Sequence, residues 1–316
     1  MKFLTEYRNP ELVKFYLNEI EKIVTKPWNI MEICGGQTHS LVKNGLLELL
    51  PDNVRMIHGP GCPVCVTPIS LIDKAVALME KGAVLCSFGD MVRVPGSKKS
   101  LLQAKADGGD LRILYSPLEA VQIAEKNPEK EVVFFAVGFE TTAPSNALSV
   151  VHAQKLGLKN FSLLVSHVLV PPAMEAILDD EFCNIDAFLG AGHVCTIMGT
   201  SEYFPLAEKY KIPIVISGFE PADLLQAIYH AVLQLEKGEH KVENCYERLV
   251  KDEGNIPAQK VVNEIFEIGT QEWRGIGEIP NSGLVMKEKY KDFDASKKFD
   301  IENLKKKEEN LCIAGE

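Results

Sequence analysis

The stretch Val132-Val133-Phe134-Phe135-Ala136-Val137, followed by Gly138-Phe139-Glu140-Thr141-Thr142-Ala143-Pro144 and a helical run to Leu156, decides the fold. A short apolar run ending in glycine, a polar turn and a proline at a helix start describe a strand, its exit loop and the helix that follows. The same unit recurs on both sides. Strands are predicted at Ile30–Ile33, Val54–Ile57, Ala83–Phe88 and Leu111–Leu114 before it, and at Phe161–Val165, Ile185–Leu189 and Ile214–Ile216 after it. Between them lie helical segments: one that starts at Asn9-Pro10, carries Leu12, Val13, Tyr16, Leu17, Ile20 and Ile23 on one face and is closed by Pro27; Ser70–Lys81 with Gly82 at its end; a capping-box start at Ser116-Pro117-Leu118-Glu119; and Met174–Leu178. The alternation predicts an α/β protein with two tandem Rossmann-like α/β domains whose strand C-termini oppose each other, spanning 1–115 and 116–219. The segments Pro221–Glu236, Val242–Lys251 and Ala258–Ile268 have helical spacing, so 220–316 is expected to be mainly helical. The lysine- and glutamate-rich run Lys287–Glu309 is expected to be a solvated helix or a mobile tail.

A chain of 316 residues with 46% hydrophobic content can bury a large core. Its net charge is -10, and no segment gathers basic residues with aromatics, which argues against nucleic acid as a partner. Met1–Arg8 is charged too early for a signal peptide, and no apolar run reaches membrane-spanning length, so a cytoplasmic protein with no membrane association is expected. Eight cysteines in such a chain point to reduced, metal-binding or catalytic thiols rather than a disulfide framework.

The predicted strands end in chemistry. Cys34-Gly35-Gly36-Gln37-Thr38-His39 and His58-Gly59-Pro60-Gly61-Cys62-Pro63-Val64-Cys65 place thiols at two exits. Elsewhere the exits carry Asp90 and Arg93; Glu140, Thr141 and Thr142; His167; His193; and Glu220. Beyond the carboxyl ends of the strands is where an open α/β sheet presents its ligands, and opposed sheets would pool these residues in one cleft. Thiolate is both a soft metal ligand and a nucleophile. A CxxC pair fits a redox couple or half a zinc site; Cys86, Cys183, Cys195 and Cys245 supply no second pair and are expected to be buried small residues. Packing accounts for His152, His230 and His240, and helix capping is the plain alternative for Glu140 and Glu220. The GxxxxGK[ST], HExxH and GxSxG signatures are absent, and Cys195 stands where a dinucleotide fingerprint beginning at Gly190 needs its third glycine.

The motifs CGGQTH, HGPGCPVCV, FGDMVRVPGS, GFETTAP, SHVLVPPAM, GAGHV and ISGFEP, in this order, resemble the HypD family of nickel-iron hydrogenase maturation proteins; the likeness is dense from Asn29 to Asp223 and looser through Trp273–Pro280. The resemblance implies a scaffold on which iron receives one carbonyl and two cyanide ligands, in a heterocomplex with a HypC-type chaperone and a HypE-type cyanide donor, or as a monomer between such encounters. It implies Cys34 as the iron ligand, and Cys62 and Cys65 as a nearby redox or iron-supporting pair. His39, Asp90, Glu140, Thr141, His167 and His193 would line the cleft, with Gly35, Gly36, Gly61, Arg93, Thr142 and Glu220 around the bound group. Many relatives carry His at the position of Gln37. They also continue into a cysteine-rich segment that holds a 4Fe-4S cluster, whereas here Cys312 stands alone, so no such cluster is expected on this chain. Two other classes use fewer of these residues: a thiol-disulfide oxidoreductase working through Cys62 and Cys65, and a small-molecule enzyme on a Rossmann-like sheet.

Overall fold

The computed structural model describes residues 6–301. Its strands are β1 (Trp28–Glu32), β2 (Val54–His58), β3 (Val84–Ser87), β4 (Leu111–Ile113), β5 (Val132–Gly138), β6 (Phe161–Val168), β7 (Ala187–Ala191), β8 (Ile214–Ser217), β9 (Val242–Asn244), β10 (Phe266–Trp273) and β11 (Gly277–Met286). They form two sheets with helices interleaved along the chain, the α/β class the alternation predicts. The first, in the order β2-β1-β7-β8-β9, is parallel throughout. The second, β10-β11-β6-β5-β3-β4, is parallel from β4 to β6 and closed at its other edge by an antiparallel hairpin.

The division of the chain differs from the expected breaks at 115 and 219. One compact unit joins the residues up to Cys62 with Val170–Ile256; the other joins Pro63–Leu169 with the residues from Pro257 on. Strands β3 and β4 therefore belong with β5 and β6, while β7 and β8 belong with β1 and β2. Hydrophobic periodicity reports whether a segment is strand or helix, but the sheet it joins depends on long-range pairing that leaves no local mark. The region after Glu220 also departs from a helical reading. The helices Pro221–Lys237 and Ile256–Ile265 form, but Val242–Asn244 pairs with β8 as an edge strand, and helical spacing ends at Ile265, where β10 begins. Positive φ at Gly275 and Gly277 turns β10 into β11, a conformation open to glycine. The lysine-rich stretch is docked rather than solvated over its described part: Tyr290, Ala295 and Ile301 are buried.

Packing follows strand alternation. Every residue of β5 is buried, as expected of a central parallel strand covered on both faces. Val132, Phe134 and Ala136 enter one helical layer, and Val133, Phe135 and Val137 the other. Each buried phenylalanine contributes about 1.5–3 kcal/mol by removal from water. In the first unit Ile20 and Leu41 from helices, Ile30 and Leu189 from strands, and Leu224, Ile228 and Val232 from Pro221–Lys237 form the corresponding layer. Among the described residues no helix is long and apolar enough to cross a membrane.

Strand order locates the exits that matter. In the first sheet the chain goes from β1 outward to β2 and then returns to β7 on β1's other side, so the β1 and β7 loops flank a topological switch point. In the second sheet the same reversal occurs between β3 and β5. The Cys34 and His193 loops therefore share one switch point, and the Asp90 and Glu140 loops share the other.

Candidate functional site

Cys34 follows β1 directly and is the N-cap of the helix Gly35–Lys43; its backbone is extended, at φ -150 and ψ 121, before the chain coils. The residue is 4% exposed. Its Sγ lies 3.6 Å from Nδ1 and 3.9 Å from Nε2 of His193, in the first turn of the helix that follows β7. Burial pushes the Cys34 thiol pKa up and the nearby Glu32 carboxylate adds to the rise, while the N–H groups of Gln37 and Gly36 at the helix start oppose it. Burial also lowers the pKa of His193, keeping the ring neutral near pH 7. The site thus pairs a protonated thiol with a neutral imidazole.

A carboxylate beneath the thiol holds this arrangement. Glu32 is fully buried at the end of β1. Its Oε2 accepts the Cys34 N–H at 2.9 Å, and its Oε1 accepts the Thr38 hydroxyl and lies 2.7 Å from Nδ1 of His58. Burial raises the Glu32 pKa, opposed by the Thr38 hydroxyl, the Cys34 N–H and His58. Glu32 is absent from the sequence-derived site, although a carboxylate inside the apolar run Ile30–Cys34 is the anomaly that could have revealed it. Backbone proximity completes the frame. The Gly35 N–H donates to Gly61 O at 3.0 Å, and a Cβ on Gly61 would overlap the Cys34 backbone, so the residues leading into the CxxC pair lie against the Cys34 main chain through glycine. Cys62, half-buried, has its Cβ 4.0 Å from where a Gly35 Cβ would sit.

The other residues around this switch point divide by burial. Gln37 is fully buried, with its Nε2 donating to Gly190 O at 3.1 Å and its Oε1 without a hydrogen bond. His39 is exposed. The β8 exit is clamped in place: Phe219 packs on the His193 ring with centroids 5.3 Å apart, and its carbonyl accepts the Ser40 hydroxyl. Asp223, buried, accepts two bonds from Arg248 at 2.6 and 2.7 Å and the Glu220 N–H at 3.2 Å. Glu220 itself pairs with Arg8, which holds its carboxyl below the usual range.

In the second unit the exit residues fare differently. His167 is completely buried in β6; Nδ1 sits 3.2 Å from Gly138 O and Nε2 2.7 Å from Nδ2 of Asn146. Burial lowers its pKa to about 4, so the neutral ring donates from Nδ1 and accepts at Nε2. His167 braces the Glu140 loop from within the core and does not line an opening. Glu140 is buried, Thr141 and Thr142 are half-buried, and the Thr142 hydroxyl donates to Phe139 O at 3.2 Å. Asp90 and Arg93 are exposed at either end of the turn Met91–Arg93. Cys65 belongs to this unit and is half-buried. Cys312 lies outside the described residues.

Comparison with known proteins shows the family. The HypD family model, described as "Hydrogenase formation hypA family", matches residues 11–316. The chain is 47% identical to hydrogenase maturation factor HypD2 of Bradyrhizobium diazoefficiens, over 100% of this chain and 86% of that protein. It is 45% identical to HypD of Azotobacter vinelandii (99% and 85% covered) and 44% identical to HypD of Escherichia coli (95% and 83%). With a family model matched over residues 11–316 and relatives of 44–47% identity covering nearly the full length, the chain belongs to the HypD family.

Proposed function

We propose that this chain is a hydrogenase maturation scaffold that holds an iron ion as cargo while it is built into the Fe(CN)2CO unit, working with a HypC-type chaperone and a HypE-type cyanide donor. The observation that carries the reading is the 3.6 Å contact between Cys34 Sγ and His193 Nδ1 at the first sheet's switch point. Two donors on one first-row metal, with bonds of about 2.0–2.3 Å, stand about 2.8–3.3 Å apart at a right angle and about 3.3–3.8 Å apart at a tetrahedral one, so a small side-chain rotation brings this pair onto one ion. The neutral His193 ring offers a lone pair, and the Cys34 thiol gives up its proton as iron binds. The N–H groups of Gly36 and Gln37 then stabilise the thiolate. Glu32 fixes the Cys34 backbone, and Gly36, where a Cβ would stand 3.5 Å from Cys34 Sγ, puts no side chain beside the sulfur. Cyanide and carbonyl favour low-spin ferrous iron, and thiolate supplies electron density to such a centre. Cys62 and Cys65 are assigned the redox step, and the Asp90 and Glu140 loops the second unit's part in the same assembly.

A thiol-disulfide oxidoreductase would leave the Cys34–His193 contact and the Glu32 network without a use. The test is anaerobic loading with iron in the presence of the chaperone and the cyanide donor, followed by infrared spectroscopy in the cyanide and carbonyl stretching region. Wild type should show bands and retain iron, whereas Cys34→Ala should lose both. Cys62→Ala should retain iron under reducing conditions and fail only where redox cycling is required. Retention by Cys34→Ala with loss by Cys62→Ala would reverse the assignment.

A further inference from the structure

His230 and Cys245, which packing alone was expected to explain, meet at the edge of the first sheet. The helix Pro221–Lys237 presents Gln226, His230 and Gln234 at four-residue spacing on one face. Beside β8, the edge strand β9 carries Glu243, and Cys245 extends the ladder through its N–H to Ile216 O at 3.0 Å. Residues two apart on a strand point the same way, so Glu243 and Cys245 share a face. Nδ1 of His230 is 2.8 Å from Oε1 of Glu243, and nitrogen, oxygen and sulfur donors from all three residues lie within 4.8 Å of one another.

We propose that His230, Glu243 and Cys245 form a separate metal site for a divalent ion of the zinc class, with water as the fourth ligand. A tetrahedral ion with bonds of about 2.0–2.3 Å needs its donors about 3.3–3.8 Å apart, so small side-chain rotations complete the set. One imidazole, one carboxylate and one thiolate balance a 2+ charge and mix hard and soft donors, as zinc accepts. An outer partner is in place: Gln234 donates through Nε2 to Oε2 of Glu243 at 2.9 Å, while its Oε1 accepts the Lys241 N–H at 2.8 Å. Such supporting bonds orient metal-binding carboxylates. The three residues open into a pocket of about 450 Å³, which has room for the water ligand. Arg248 also borders it, but its guanidinium is committed to Asp223 and stacked on Tyr7 and Tyr246, so it does not compete for Glu243. An ordinary ion pair would account for His230 and Glu243 but leave the converging thiol unused.

The site is tested by anaerobic Co2+ titration of the full chain with Cys34, Cys62 and Cys65 changed to Ser, which removes the thiols of the proposed iron site and makes the outcome independent of that assignment. One equivalent of Co2+ should bind with a sulfur-to-cobalt charge-transfer band and be displaced by Zn2+. Cys245→Ser should abolish the band and weaken binding at least about tenfold, and Gln234→Ala should weaken it by about tenfold. Glu243→Gln, at a partly exposed position, provides a second variant if Cys245→Ser does not fold; it too should weaken binding at least about tenfold. A charge-transfer band that survives Cys245→Ser, or an affinity that Glu243→Gln leaves unchanged, overturns the proposal.

Discussion

His193 and His167 occupy equivalent positions in sequence, each beside the end of an apolar strand, yet they do opposite things. His193 stands in the first turn of a helix after β7 with its ring against a thiol. His167 is still within β6, where both ring nitrogens are engaged by Gly138 and Asn146. The difference is one of register. A side chain inside a strand's last residues is held between helical layers, whereas one placed past the strand end can reach across the switch point to a neighbouring exit. One unit therefore concentrates titratable chemistry at its switch point, and the other uses its histidine to hold a loop rigid.

The largest effect expected from breaking this contrast is at Gly61. An added Cβ there meets the Cys34 Cα and N and the Gly35 N, all backbone atoms that cannot move aside independently. Gly61→Ala should cost about 3–5 kcal/mol and displace the thiol, read as a fall in the denaturant midpoint together with loss of iron. At Gly36 the nearest atoms are the Phe219 ring at 3.2–3.3 Å, which can shift, so Gly36→Ala should be much milder.

Next comes the histidine pair itself. His167→Ala strands a buried Gly138 carbonyl and Asn146 amide and leaves a cavity, an expected loss of about 3 kcal/mol in chemical denaturation. His193→Ala should cost about 1 kcal/mol or less but weaken iron retention by about 10- to 100-fold, with folding intact. Equal stability losses in the two variants would erase the distinction.

Acid separates them further. With a folded pKa of about 4 against an ordinary 6.5, His167 takes up a proton in the unfolded chain before it does in the folded one. Its contribution is complete above pH 6.5 and is lost as pH falls toward 4, by about 3 kcal/mol in all. His193, also lowered by burial, acts in the same direction. The stability-against-pH curve of His167→Gln should be flatter than that of wild type across this window, and parallel curves would refute the assignment.

The alternation of elements, the helix starts at Asn9 and Ser116 and the exit-loop location of the chemistry were legible because each is written in a few adjacent residues. Which strands share a sheet was not. Nothing local to Ala83–Phe88 or Ile185–Leu189 states that the chain changes units between Cys62 and Pro63 and again at Val170. The proximity of Cys34 and His193, residues far apart in the chain, follows from strand order, and so became visible only with the pairing of β1 and β7. The meeting of His230 with Cys245 is hidden from the sequence because Val242–Lys251 has helical spacing, while its first residues form the edge strand β9.

The smallest effect sought is electrostatic and lies under the thiol. Glu32→Gln is nearly isosteric: its carbonyl oxygen can still accept the Cys34 N–H, and its amide group can face Thr38 Oγ1 and His58 Nδ1. Because the near-isosteric side chain keeps its partners, the fold and the position of Cys34 should persist, with the near-UV spectrum and melting temperature little changed. What disappears is the negative charge that adds to the burial-driven rise of the Cys34 pKa. Without it more of the thiol is ionised at a given pH, and thiolate is the reacting species. Alkylation of Cys34 at mildly alkaline pH, followed peptide by peptide by mass spectrometry, should be faster in Glu32→Gln than in wild type. Cys86, buried in the other unit with its thiol pushed up to about 12, should react at the same slow rate in both proteins and serves as the internal reference. An unchanged or slower rate at Cys34 would mean that Glu32 acts on the thiol only by positioning it, and that its charge has no part in setting the reactivity of the first switch point.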